Sequence, residues 1–251
     1  MFHLIAGALA EEATATDALE GAAEEAAEAA PNWFQTAFEG LGDFPLWAWI
    51  VVAVLLVGGF IVYRAVKGGK KTIWTTKMIS MGAICMALSS VLSLIKIWEM
   101  PNGGSVTPAS MLPMMLFAYG FGTVPGLALG AIYGFLQFLI GGTAWFLSVP
   151  QMLMDYPVAF AMVGLAGLFR KNKNEKLGLT LGVVVASFGR FVAAVVAGLI
   201  FWTDLTDGVM PAVIYSLGYN GSYMLPECII CVLLAVLMGP RLTRELKKST
   251  K

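Results

Sequence analysis

From Met100 to Met154 the chain carries no charged side chain. Such a stretch, flanked by further uncharged runs, does not fit a water-soluble core, because about 20 apolar residues in a helix suffice to cross a ~30 Å hydrocarbon layer. Composition agrees: 58% of the 251 residues are hydrophobic, 13% are charged, and the mean hydropathy is +0.78. The chain reads as an all-α integral membrane protein, since lipid leaves backbone polar groups to be satisfied inside the spanning element itself.

Charge places the spans. The 16 basic and 16 acidic residues cancel in number but not in position: residues 1–45 hold nine acids and no Lys or Arg. This tail opens with an apolar run, Leu4–Ala10, that lacks the basic flank of a cleavable signal peptide, and it reads as loosely helical or disordered. Leu46–Tyr63 is long enough to span, and Arg64, Lys67, Lys70, Lys71 and Lys77 put its end in the cytoplasm. Met78–Ile95 runs outward to a loop containing Lys96, Trp98, Glu99, Pro101, Gly103 and Gly104. Two spans follow, Pro108–Gly120 and Val124–Ile140, with Pro113 and Pro125 starting or breaking helices. The first is short, which suits a tilted, irregular or protein-packed segment.

Pro150–Phe169 runs inward to Arg170, Lys171, Lys173 and Lys176, and Leu177–Thr203 runs outward to Asp204 and Asp207. Val213–Met238 returns inward to Arg241, Arg244, Lys247, Lys248 and Lys251. Fourteen of the 16 basic residues then share one side, which gives seven spans, an outer N-terminus and a cytoplasmic C-terminus. The predicted domains are an acidic extracytoplasmic tail (1–45), an additional transmembrane helix (46–66), a basic cytoplasmic loop (67–77), a six-helix membrane domain (78–240) and a basic cytoplasmic tail (241–251).

A charge inside a span is costly unless it is paired or faces a polar cavity, so Asp155, Arg190 and Glu227 are functional candidates. Depth, at 1.5 Å per helical residue, sorts them. Asp155 lies about 8 Å below the start of its span, Trp202 falls at the outer surface with Gly198 roughly one turn below it, and Tyr215 and Asn220 sit in the first two turns of the last span, all in the outer third, while Arg190 and Glu227 fall roughly 18 Å down. The deep pair suggests an ion pair, with Asp155 a rival partner for Arg190. The outer group, with Trp145 from the preceding loop, suggests a pocket for a small, flat, cationic or hydrogen-bonding ligand. An interfacial aromatic belt would account for the Trp and Tyr residues but not for Asp155.

Other motifs exclude chemistry or suggest packing. Cys228 and Cys231 form a CxxC, but the only histidine is His3, so with Cys85 they read as buried free thiols and no metal or cofactor is expected. Gly68–Thr72 (GGKKT) lacks the order and flanking strand of a phosphate loop, so this chain carries no ATPase signature. Gly126, Gly130 and Gly134 repeat at four-residue spacing, as do Ala83 and Ala87, and such faces let helices approach closely.

The loop Gly103–Thr107 leading to Met111–Leu112–Pro113, the run Gln151–Ala159 (QMLMDYPVA) followed by Gly164–Gly167, and the spacing of Gly198, Trp202, Tyr215 and Asn220 together resemble the thiamine-binding S components of energy-coupling factor transporters. The likeness covers about residues 75–240. It implies a six-helix membrane subunit that captures thiamine at the outer face and works with a transmembrane coupling protein and two cytoplasmic ATPases, toppling to release its ligand inside. Position by position, it implies ligand contacts from Asp155, Tyr156, Gly198, Trp202, Tyr215 and Asn220, an aromatic wall at Trp145, and a basic residue at Arg190. Ala83 and Ala87 match the face that meets the coupling protein. Asp155 is one methylene shorter than the glutamate of some relatives, Ala194 stands where some have histidine, and the span at Leu46–Tyr63 has no counterpart in the six-helix core.

The expected activity is therefore high-affinity thiamine binding for import across the plasma membrane, without catalysis, cofactor or nucleic acid. The competing readings are a related S component for another vitamin or pyrimidine precursor, a lipid-modifying membrane enzyme using Asp155, Arg190 and Glu227, and a small channel or stand-alone carrier.

Overall fold

The computed structural model describes residues 74–203 and 208–248. The acidic tail, the span Leu46–Tyr63, most of the basic loop and the acids Asp204 and Asp207 lie outside the described residues. The described chain is helical almost throughout: α1 (Thr76–Leu94), α2 (Leu112–Phe121), α3 (Thr123–Gly141), α4 (Val149–Phe169), α5 (Glu175–Phe201) and α6 (Val209–Lys248). α1, α3, α4, α5 and α6 are long and apolar enough to cross a membrane, whereas α2 is too short. Between α1 and α2, β1 (Trp98–Glu99) and β2 (Ser105–Val106) pair antiparallel, with Trp98 opposite Val106 and Glu99 opposite Ser105. The helical segments overlap the hydropathic stretches, most ends shifting by a few residues, whereas α6 continues ten residues past Met238 to Lys248.

Local sequence starts and stops these helices. The side chains of Thr75 and Asn174 accept the backbone N–H of Met78 and Leu177, satisfying one orphan donor at the start of α1 and α5. α2 ends at Gly122, whose φ of 114° is a conformation that favours glycine. There Arg170 Nη1 donates to the Phe121 carbonyl at 2.9 Å, a cation at the negative end of a helix.

Every residue of α2 is buried, which explains its length: it is a core element enclosed by other helices and need not reach both membrane faces. Met114, Met115, Phe117 and Tyr119 from α2 join Leu129 and Tyr133 of α3, Phe160 and Val163 of α4, Leu179 and Val183 of α5 and Cys231 of α6 in one cluster. Large apolar side chains such as Ile84, Phe188, Leu225 and Leu237 stay exposed, as a lipid solvent allows. Cys85, Cys228 and Cys231 are free thiols.

With lipid outside, little hydrophobic force separates helix–helix from helix–lipid contact, so close packing of small residues must hold the helices together. The glycine row of α3 does this. A Cβ on Gly130 would sit 2.4 Å from the Phe160 carbonyl oxygen, and one on Gly134 would sit 2.4 Å from that of Tyr156. From the other side, a Cβ on Gly164 would meet the backbone nitrogen of Leu127 at 2.2 Å. α3 and α4 therefore touch backbone to backbone, and the glycine repeat is used within this chain.

Candidate functional site

One cavity of about 310 Å³ opens beneath the β1–β2 hairpin and is walled by α1, α3, α4, α5 and α6. That volume suits a small organic ligand. All the ligand-facing candidates line it: Asp155, Tyr156, Trp145, Gly198, Trp202, Tyr215, Asn220 and Arg190, with Glu227 beside them. Ala83 and Ala87 do not; they are exposed on α1.

Asp155 owes its place to an irregularity in α4. Met154–Val158 forms a π-helical turn, with the Ala159 N–H bonded to the Met154 carbonyl, and Pro157 sits inside it. Proline lacks the N–H that would bond the preceding turn, and its ring crowds that turn's carbonyl, so an ordinary α-turn is disfavoured here. One carboxylate oxygen of Asp155, Oδ2, accepts Gln151 Nε2 at 2.6 Å and Trp202 Nε1 at 2.9 Å. No described residue donates to the other, Oδ1. The carboxylate and the indole are thus a bonded unit bridging α4 and α5, and one face of the charge is left to the cavity.

The deeper carboxylate is differently committed. Glu227 Oε1 accepts the hydroxyls of Thr107 at 2.6 Å and Ser110 at 2.9 Å, and Oε2 lies 3.9 Å from Arg190 Nη1. The guanidinium also stands 4.2 Å over the Phe160 ring and donates to the Met111 sulfur at 2.7 Å. Equal depth in the sequence thus becomes contact in space, and Asp155 is not Arg190's partner. Thr107 and Ser110 follow the hairpin directly, so Glu227 also anchors the chain beneath it.

Asn220 is bonded chiefly within α6, and Gly198 makes room for that helix. Asn220 Nδ2 donates to the Ser216 carbonyl at 2.9 Å, and its Oδ1 accepts the Tyr223 hydroxyl at 2.9 Å. A Cβ on Gly198 would lie 2.4 Å from Ser216 Oγ and 3.2 Å from Asn220 Nδ2. The close approach that Gly198 permits is therefore that of α6 to α5. Tyr215 is half exposed and stacks on Tyr219, with ring centroids 6.1 Å apart. Tyr156 meets Phe138 edge-on at 5.4 Å and closes over Gly142, and Trp145 packs under Gly103 of the hairpin.

Several residues at or behind the cavity wall were missed in the sequence, although their spacing signals them. Gln151 precedes Asp155 by four residues, the separation at which helix side chains meet, and it is fully buried. Tyr219 and Tyr223 continue the Tyr215 face at the same spacing. The Tyr219 hydroxyl donates to the Pro101 carbonyl and accepts the Gly104 N–H at 3.1 Å, tying the hairpin to α6. Tyr133 and Gln137 form a further pair on α3.

Comparison with known proteins places this geometry. The family model described as thiamine transporter protein matches residues 79–247. Among similar relatives, thiamine transporter ThiT of Bacillus subtilis is 34% identical over 179 residues, covering 65% of this chain and 92% of the relative. Thiamine transporter ThiT of Lacticaseibacillus paracasei is 29% identical over 145 residues, covering 53% of this chain and 71% of the relative. The solved structure of ThiT from Listeria monocytogenes superposes with a TM-score of 0.57 at 24% identity, over 66% of this chain and 96% of that one, a likeness of fold.

Proposed function

This chain belongs to the thiamine transporter protein family, and from that premise we propose that it is the thiamine-capturing S component of an energy-coupling factor importer. It is a multi-pass membrane protein of that family, and its work is binding and delivery, with no turnover of the ligand. Thiamine joins a permanently cationic thiazolium to a neutral aminopyrimidine, so its receptor needs a carboxylate, aromatic faces and a few hydrogen-bonding groups.

The observation that carries the proposal is the charge balance of the cavity. Asp155, Glu227, Arg190 and Lys96 all line it, but the guanidinium lies beside Glu227 and Lys96 is paired with Glu99 of the hairpin, so the uncompensated charge is Asp155, with Oδ1 uncommitted. A monocation completes that balance. Trp202, held by its bond to Asp155, and Trp145 offer aromatic faces to the cation, worth up to ~2 kcal/mol for a desolvated pair. Tyr156, Tyr215 and the Asn220–Gly198 contact set the orientation, and Arg190 keeps its place with Glu227 near the ligand's hydroxyethyl end.

The basic cluster Arg170, Lys171, Lys173 and Lys176 supports a cytoplasmic position for the far end of α4, which turns the hairpin-covered cavity outward. The same rule gives an outer N-terminus and a cytoplasmic C-terminus. Ala83 and Ala87, small and exposed on α1, fit a docking face for the coupling protein that links this subunit to two ATPases. Calorimetric titration of the purified protein with thiamine tests the central proposal. Saturable binding at submicromolar ligand is expected, and no heat at millimolar thiamine would refute it. Uptake in cells should also require the coupling protein and ATPases.

A further inference from the structure

One wall of the cavity plays no part in the binding scheme above. Tyr133 and Gln137 stand one turn apart on α3, and Ser93 meets them from the end of α1. Gln137 Nε2 lies 2.6 Å from the Tyr133 hydroxyl and 2.9 Å from Ser93 Oγ. Ser93 decides which end of the carboxamide is which. Its single proton goes to the Ser90 carbonyl at 2.7 Å, so toward Gln137 its oxygen can only accept, and the group facing it must be the NH₂. Both amide protons are therefore committed to hydroxyls. The Gln137 carbonyl oxygen is a fixed acceptor that no described residue meets, on a half-buried side chain lining the cavity.

A neutral acceptor held by two hydrogen bonds complements a ligand N–H fixed in a ring plane. It would repel a carbonyl in the same place. We propose that Gln137 is a specificity-determining residue that accepts a hydrogen bond from an exocyclic amino group on a flat heteroaromatic ligand. The inference rests on the thiamine reading, in which that group is the amine of the aminopyrimidine. Tyr133 and Ser93 act through Gln137 as positioning residues.

The test compares thiamine with its analogue carrying an oxo group in place of the amine, by calorimetry on the purified full-length protein. The wild type should favour the amine, and Gln137→Leu should weaken thiamine roughly tenfold while leaving the oxo analogue unchanged or tighter. Gln137→Glu keeps an acceptor and should retain the preference, whereas Ser93→Ala removes the hydroxyl that orients the carboxamide and should reduce it; unliganded melting curves check each fold. Equal losses for both ligands in folded Gln137→Leu, or an unchanged preference, would overturn the assignment. Should the leucine variant not fold, loss of the preference in Gln137→Glu overturns it and retention supports it. If the wild type binds no thiamine, the thiamine reading falls and takes this inference with it.

Discussion

Replacing Asp155 with asparagine isolates charge from shape. Both hydrogen bonds that Asp155 accepts, from Gln151 and from Trp202, end on Oδ2. An asparagine can present its carbonyl oxygen there and keep both, so the fold should survive. Its NH₂ then occupies the Oδ1 position, placing a neutral donor where the free carboxylate oxygen faced the cavity. The ligand loses a charge partner and gains a like-signed dipole. Losing one member of a desolvated, hydrogen-bonded charge pair costs about 3 kcal/mol, which is roughly a hundredfold in affinity. Calorimetry or quenching of tryptophan fluorescence by thiamine measures the change, and an unliganded melting temperature within a degree or two of wild type would show that the scaffold is intact. Thiamine affinity within threefold of wild type in that folded variant would refute the charge argument.

Trp202→Phe keeps an aromatic face but removes the indole donor to Asp155, and should weaken thiamine about tenfold by calorimetry; an unchanged affinity would mean that this bond does not set the pose. Gly198→Ala drives a Cβ toward Ser216 Oγ, 2.4 Å away, and should cost about 2 kcal/mol, lowering the melting temperature by several degrees. Adding Ser216→Ala should recover part of that loss, and no recovery would mean that the strain lies elsewhere. Glu227→Gln can keep the Thr107 and Ser110 bonds but turns an NH₂ toward Arg190, so the unliganded protein should lose ~3 kcal/mol of stability. A Glu227→Gln protein as stable as wild type would show that the deep pair is not structural.

The helices were legible because lipid leaves the backbone few alternatives, and the members of the cavity because a charge within a span must go somewhere. Depth alone put Arg190 level with Glu227 and grouped Asp155 with Trp202 in the outer third. Helix rotation was harder to read. α1 is apolar nearly all round, so no stripe in its sequence says which face turns inward, and the place of Ser93 in a polar wall could not be foreseen. Gly198 was visible as a close approach but not as an approach of α6. Contacts that join distant segments, such as Tyr219 with the hairpin or Ser110 with Glu227, leave no local pattern at all.

The π-turn at Met154–Val158 lets Pro157 be examined apart from the ligand. Widening one turn places an extra residue within it, so the chain before the turn is rotated by about 100° relative to an uninterrupted α-helix. Downstream, Phe160 and Val163 pack into the core; upstream, Gln151 is sealed and Asp155, within the turn, reaches the cavity. A regular α-helix could not hold both faces at once. Pro157→Ala restores an N–H and removes the ring's clash, which relieves the local obstacle to a regular turn. If proline sustains the bulge, this variant should fold at least as stably as wild type yet bind thiamine at least tenfold more weakly, because Asp155 rotates away from Trp202. Unchanged binding would show that the packing of Gly130 and Gly134 against the α4 backbone holds the π-turn without help from Pro157.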